Sequence, residues 1–195
     1  MRRVVKRNDS KIISDNIKYS SSKSNLQLGR LLLNEQKKFC AYTEEYISFN
    51  DAYDIEHFNP NLKNTDKDNY DNWFCVKHRP NLKKASKWKT KILYPTQEDF
   101  EKRIIYIDGF FLLQDSKDEE AQNLIDLLDL NNEIFVNDRK RYIDRRKEGV
   151  EIYNISPIKY FQLLIDKEIE LIRYLRAIQT EFAIDIWSMI PNVEE

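Results

Sequence analysis

The segment from Asp54 to Pro60, DIEHFNP, decides the fold prediction because it places an acidic residue and a histidine just before a proline. Glu56 and His57 are adjacent, and His57 is one of two histidines in the 195-residue chain. Successive side chains of a strand face opposite sides, so this pair can share one site only where the strand twists or ends. Pro60 predicts that ending, since proline cannot donate to a β-ladder.

Strand and loop signals alternate around this segment. FCAYTEEYISF (39–49) and AYDIEHF (52–58) are rich in aromatic and β-branched residues, which predicts a pair of short strands. NPNLKNTDKDNYD (59–71) has the composition of a loop, and NWFCVK (72–77) returns to strand composition. Pro80 suits the first turn of a helix. The middle of the chain is therefore predicted to be strand, long loop, strand and short basic helix.

Helices are predicted on both sides of this central part. LQLGRLLLNEQKK (26–38) has a helical apolar pattern, and EEAQNLIDLLDL (119–130) carries a leucine stripe. A further helix is expected to end in a basic turn at Gly149. Residues 156–182 begin with Ser-Pro and keep one apolar stripe, which predicts a single long helix.

Together these signals predict an α+β fold in three parts. Residues 1–37 are expected to form an N-terminal basic arm and a helix, where residues 1–25 are either a basic arm or a loosely packed lead-in, and residues 38–95 the two-stranded core with its helix. Residues 96–195 are predicted to be a helical extension that packs on the core and binds a partner, with a short hairpin around Asp108-Gly109. The apolar stripes of the extension are core positions first and partner surfaces second.

Composition narrows the class of protein. Apolar residues make up 41% of the chain and charged residues 33%, which is enough apolar material for a core. Only 3 Gly and 5 Pro occur, which argues against a barrel of tight turns and a glycine-rich phosphate loop. No apolar run is long enough to span a bilayer, so we expect a cytoplasmic protein without membrane contact.

Positive charge is concentrated although the net charge is only −1. The segment KHRPNLKKASKWKTK (77–91) contains no acidic residue. Such a run is often a solvated helix face, and it can also hold a phosphate backbone. The residues expected to contact nucleic acid are Lys77, Arg79, Lys83, Lys84 and Lys87.

The residue types around His57 suit metal-dependent phosphodiester hydrolysis. That chemistry needs a general base, hard oxygen ligands for a divalent cation, and positive charge for the phosphate. His57 has an ordinary pKa of roughly 6.5, which suits a base at neutral pH. Glu56 offers a carboxylate and Asn81 an amide oxygen, which suit Mg²⁺ or Mn²⁺. Lys84 follows Asn81 by one helical turn, so both are expected on one face.

The motifs EHFNP, YDNW and NLKK resemble the signature of HNH endonucleases, which have the ββα-metal fold. The resemblance implies that Glu56 binds the metal and that His57 is the general base. It implies that Asn72 braces the loop and orients the histidine, that Asn81 is the last metal ligand, and that Lys84 is the trailing lysine. The expected substrate is nucleic acid, with DNA favoured over RNA.

The zinc-binding cysteine pairs of many HNH proteins are incomplete here. Cys40 lacks the second cysteine of its pair, and Cys75 with His78 forms only a C-x-x-H step. Structural zinc sites normally have four nitrogen or sulfur ligands, so structural zinc is not expected. Both cysteines are predicted to be small buried hydrophobic residues.

The downstream segment LIDLLDLNNEIFVNDRKRYIDRR resembles the helical half of HNH proteins of Septu and retron anti-phage systems. This resemblance implies an ATPase partner subunit and a role in defence against phage. The alternative is a non-catalytic nucleic-acid-binding or assembly subunit that retains the ββα shape. The missing cysteine pairs and the long helical half favour that alternative.

Overall fold

Two small antiparallel sheets lie among helices in the computed structural model, which describes residues 1–78 and 88–193. Strand β1 (Tyr53–His57) pairs with β2 (Trp73–Lys77), and β3 (Ile104–Ile107) pairs with β4 (Phe110–Leu113). The architecture is α+β, as predicted. The basic helix predicted from Pro80 lies outside the described residues.

Helices occupy both ends of the chain and most of its second half. Among the residues that the structure describes, two helices precede β1, one lies between β2 and β3, and the others follow β4. Short 3₁₀ turns lie at Pro60–Leu62, Tyr70–Asn72 and Ile169–Leu171. The helices are α1 (Lys11–Ser14), α2 (Leu26–Glu35), α3 (Phe100–Arg103), α4 (Glu119–Leu127), α5 (Glu133–Tyr153), α6 (Pro157–Glu168), α7 (Leu175–Phe182) and α8 (Ile186–Met189). Within the described residues, no helix has the length and apolar character needed to cross a membrane.

The first of the strands predicted for the middle of the chain is not formed. Residues 39–49 form a turn with an isolated bridge between Phe39 and Tyr46, so the strand prediction for this segment is wrong. The turn is tight because Glu44 adopts a left-handed backbone, with φ 56°. β1 instead pairs with β2 across the long loop, with His57 opposite Trp73 and Tyr53 opposite Lys77.

One hydrophobic cluster includes residues from both sheets and from both ends of the chain. Trp73, Phe74 and Phe58 lie at its centre and are almost completely buried. Met1 and Ile12 belong to the same cluster, each only 2% exposed. The expectation of a loosely packed N-terminal arm is therefore wrong, because its apolar residues fill part of the core.

The hairpin predicted around Asp108-Gly109 is confirmed. Asp108 has φ 45° and Gly109 has φ 83°, the positive values that a two-residue type I′ turn requires.

Arg139 of α5 is buried beside the turn and donates to the Gly109 carbonyl at 2.7 Å and to the Leu130 carbonyl at 2.6 Å. These bonds explain how a charged side chain is accommodated in the interior.

Two helix predictions in the extension need correction. α5 continues past Gly149 to Tyr153. The single helix predicted for 156–182 is divided into α6 and α7, because Arg173 leaves the helix to form a bridge with Glu45. Tyr174 then adopts a left-handed backbone, φ 58°, and its N–H donates to the Glu44 carbonyl at 3.1 Å.

Candidate active site at the end of strand β1

His57 is the last residue of β1, and its side chain is only 5% exposed. The ring of Tyr19 covers it edge-on, with ring centroids 4.4 Å apart. Its Nε2 atom lies 3.0 Å from Oδ2 of Asp68. The strand stops here and the chain bends into the Pro60–Leu62 turn, so the predicted strand ending is confirmed.

Asp68 connects His57 to the beginning of β2. Its Oδ1 atom accepts from Nδ2 of Asn72 at 2.9 Å and from Nε1 of Trp73 at 2.8 Å, while Oδ2 faces His57. The side chain is 5% exposed, so these neighbours replace the water that a carboxylate normally requires. The sequence did not single out Asp68, because nothing in KDNYD distinguishes a buried carboxylate from the exposed ones beside it.

Asn72 joins the two ends of the long loop. Its Oδ1 atom accepts from the N–H of Asn59 at 2.7 Å, and Nδ2 donates to the Asn59 carbonyl at 3.2 Å. The Asn72 carbonyl also accepts from the N–H of Phe58 at 2.8 Å. Residues 58 and 59 follow His57 directly, so these bonds fix the backbone that carries the imidazole. The structure thus brings together His57 and Asn72, with Asp68 between them.

The electrostatic surroundings keep the imidazole neutral. Burial lowers the pKa of His57 below its ordinary value of 6.5; the charges of Asp68 and Glu56 oppose this shift, and Lys63 adds to it. Because Asp68 is an acceptor facing Nε2, it favours the neutral tautomer with its proton on Nε2. The lone pair of Nδ1 is then the basic group of the ring.

Glu56 precedes His57 on the strand and lies opposite Phe74. Its charge raises the pKa of His57. Burial is the main cause of the raised pKa of Tyr42, and the charge of Glu56 is the next largest. Glu56 lines an open cleft of about 660 Å³ along β1, together with Tyr19 and Lys63. Tyr19 also contacts His57. The carboxylate and the imidazole therefore share Tyr19 as a neighbour, although successive side chains of a strand point to opposite faces.

The described part of the basic segment is paired with acidic or polar groups. Lys77 Nζ lies 3.2 Å from Asp51 and 3.8 Å from Glu45, and Nδ1 of His78 lies 2.7 Å from Asp54. Arg79, Asn81, Lys83, Lys84 and Lys87 lie outside the described residues. Their predicted roles in binding the metal and the phosphate backbone stay predictions.

No group of three or more His, Cys, Asp or Glu side chains within residues 1–78 and 88–193 is placed to hold a metal ion. The predicted oxygen ligands are Glu56, which the structure describes, and Asn81, which lies outside that part. Cys40 and Cys75 are both buried with free thiols. Burial raises the pKa of the Cys75 thiol, which therefore stays protonated at neutral pH.

Comparisons with protein-family models, with curated proteins and with solved structures found no match for this chain. The chemistry of the site is therefore what indicates its function. That site combines a buried neutral imidazole, a carboxylate that holds it, and an asparagine that fixes its backbone. A neutral imidazole in such a setting can accept a proton from water.

Proposed function

We propose that this chain is a metal-dependent endonuclease of the HNH type, which hydrolyses phosphodiester bonds of nucleic acid. The observation that carries the proposal is the connection from His57 through Asp68 to Asn72 at the end of β1. The order of an acidic residue and histidine, a loop, and an asparagine at the second strand matches the HNH motif. The fixed loop supplies the preorganisation that a general base needs.

In this proposal His57 takes the proton of the attacking water at Nδ1. Asp68 then stabilises the imidazolium that forms, since its charge raises the pKa of the ring. Asn72 keeps the imidazole in position by holding the backbone that follows it. Glu56 and Asn81 are hard oxygen donors that suit Mg²⁺ or Mn²⁺. When bound, such a cation polarises the scissile phosphate as a Lewis acid.

Access to the imidazole requires a rearrangement of Tyr19. With 5% of the His57 side chain exposed, water and a phosphate group cannot both reach the ring while Tyr19 covers it. Tyr19 lies in the connection between α1 and α2, outside regular secondary structure. Displacement of this connection opens the site without disturbing β1 or β2.

The finer assignment is an effector nuclease of anti-phage defence that acts on DNA and works beside an ATPase subunit. It is supported by the resemblance of the segment LIDLLDLNNEIFVNDRKRYIDRR to defence-associated HNH proteins. Large apolar side chains on α5 and α6, including Ile134, Ile152 and Ile158, are exposed. A partner subunit that packs on α5 or α6 would remove these side chains from water.

Nuclease assays on His57→Ala test the proposal, with His78→Ala as the matched control. His78 is the other histidine and its side chain is half exposed, so its removal is expected to leave cleavage unchanged. We expect His57→Ala to reduce cleavage of plasmid and single-stranded DNA by at least about 10²-fold, because the general base is lost. Cleavage by the wild type should disappear with EDTA and return with Mg²⁺ or Mn²⁺. Undiminished cutting by a folded His57→Ala variant contradicts the assignment.

The second candidate is a non-catalytic nucleic-acid-binding or assembly subunit. The burial of His57 under Tyr19 and the pairing of Lys77 with two carboxylates favour it. The metal titration separates the two candidates. Binding that weakens with salt, without cleavage at any metal concentration, supports the binding subunit and overturns the nuclease.

A further inference from the structure

The outward backbone groups of β1 belong to Tyr53 and Ile55, and at its last residue to His57. The N–H of Phe58 donates to the Asn72 carbonyl, so in the antiparallel ladder every second residue from Phe58 backwards bonds to β2. Tyr53 and Ile55 fall between these positions and direct their N–H and C=O groups away from β2. Neither residue has a backbone hydrogen-bond partner at this edge within the described part of the chain.

The opposite edge of the sheet is covered. The side chain of Gln36 donates to the Cys75 carbonyl and accepts from the Cys75 N–H, both at 2.8 Å. Ala41 N–H donates to the same carbonyl at 3.1 Å, and the Lys77 N–H donates to Sγ of Cys40 at 3.3 Å. Within residues 1–78 and 88–193, the edge of β2 is thus satisfied and that of β1 is open, although open edges are usually protected.

A cleft of about 660 Å³ follows the open edge, and residues 51–56 form one of its walls without interruption. Tyr19 and the first turns of α2 form the other wall. Leu26 contributes an apolar side chain that is 74% exposed. Gly29 lets the helix approach closely, since a Cβ there would meet the Tyr53 ring at 3.1 Å. Six residues of extended chain span about 20 Å, enough for one added strand of ordinary length.

We propose that the open edge of β1 binds an extended segment of a partner protein, which adds a third strand to the β1–β2 sheet. The cleft carries the carboxylates of Asp51, Asp54 and Glu56. Asp51 is paired with Lys77 and Asp54 with His78, and Lys63 is the cation among the described lining residues, so three carboxylates face two lysines. The added segment therefore has basic side chains on one face and an apolar side chain towards Leu26 on the other. A nucleic acid without a bound divalent cation is disfavoured, because the carboxylates repel phosphates and the edge offers the hydrogen-bond spacing of a polypeptide. Glu56 and Tyr19 line this cleft and also belong to the proposed nuclease site, so an added strand and a nucleic acid are expected to compete, whereas peptide binding itself is measured without any cleavage assay.

Amide hydrogen exchange with a defined peptide tests this site. The probe is a capped six-residue peptide of alternating lysine and valine, titrated into the full chain. Binding as a strand should slow exchange at the amides of Tyr53 and Ile55 by at least about tenfold, since they gain hydrogen bonds. The amides of Asp54 and Glu56 already face β2 and should change little.

Charge and backbone controls make the test specific. Asp54→Lys places a repulsive charge in the cleft at a half-exposed position, and we expect it to weaken binding at least about tenfold. The matched control is Asp144→Lys on the exposed face of α5, which should bind like the wild type. A peptide with N-methylated valines lacks strand donors and should lose binding, as should a peptide with glutamate in place of lysine.

Several outcomes overturn the proposal. One is no binding of the alternating peptide up to millimolar concentration to the folded chain. Another is binding without added protection at Tyr53 and Ile55, or equal binding of the N-methylated peptide. If Asp54→Lys fails to fold, Leu26→Lys on the opposite wall replaces it. Protection of these amides by a single-stranded oligonucleotide, and not by the peptide, identifies the cleft as a nucleic-acid site.

Discussion

Asp68 has the largest chemical effect on His57 of any single side chain, after the burial of the ring itself. Burial lowers the pKa of the imidazole, and the Asp68 charge is the strongest influence in the opposite direction. The same carboxylate receives hydrogen bonds from Asn72 and Trp73. Its position is therefore fixed by the start of β2, and it transmits that rigidity to the ring at the end of β1.

Replacement of Asp68 by Asn should lower the pKa of His57 further. The amide keeps an acceptor of similar size but loses the charge that raises this pKa. A general base loses activity as the pH falls through its pKa, so the acidic limb of the cleavage profile should move to lower pH. The rate on the plateau should fall by about 10-fold to 100-fold, because the imidazolium loses its partner. Titration of the His57 ring by NMR and cleavage rates across pH measure both effects.

Asp66→Asn is the matched control, since Asp66 is an exposed carboxylate two residues away in the same loop. It should leave the His57 pKa and the cleavage profile unchanged. A rise in the His57 pKa in Asp68→Asn contradicts the electrostatic account. A fall in rate with no change in pKa points to a purely structural role for Asp68.

The contacts at the sheet edges separate features of the fold that depend on neighbouring residues from features that depend on residues far apart in the sequence. Helix α2 and the Asp108-Gly109 hairpin could be predicted, because periodicity and turn residues lie next to each other in the chain. The motif residues Glu56, His57 and Asn72 could be selected for the same reason. The link from Gln36 to Cys75 spans 39 residues, and no local pattern indicates it. The prediction of a strand at 39–49 was wrong for this reason. Side-chain and loop contacts, which no local pattern indicates, lie beside β2, and this segment does not form a strand.

Gln36→Leu should destabilise the chain by about 2–4 kcal/mol. The buried amide of Gln36 holds the N–H and C=O of Cys75 and the Phe39 carbonyl, and leucine leaves all three without that partner. A buried backbone group without a partner costs about 1–3 kcal/mol. Gln27→Leu on the exposed face of α2 is the matched control and should change stability by less than about 0.5 kcal/mol. Urea unfolding measures both, and equal stabilities would show that the edge of β2 does not need Gln36.

Glu44 connects the three parts into which the sequence divides the chain. Its carboxylate accepts from the N–H of Arg2 at 2.6 Å and from the N–H of Arg176 at 3.3 Å. The side chain is 3% exposed, so the middle of the chain is tied to both ends inside the core. Glu101 makes a parallel connection, accepting from the N–H of Arg3 and pairing with the Arg176 guanidinium. Such contacts at large sequence separation join the parts that composition distinguishes.

These connections predict that the whole chain unfolds in one transition. Trp73 reports on β2 and Trp187 on α8, so single-tryptophan variants follow the middle and the C-terminal end separately. Their urea transitions should coincide. Glu44→Ala should lower the stability seen by both reporters by about 1–3 kcal/mol, because it leaves two partly buried N–H groups without this acceptor. Glu148→Ala on the exposed side of α5 is the control, expected to shift neither midpoint appreciably. Two separate transitions, or a shift at only one tryptophan, would show that the C-terminal helices fold independently of the β1–β2 sheet.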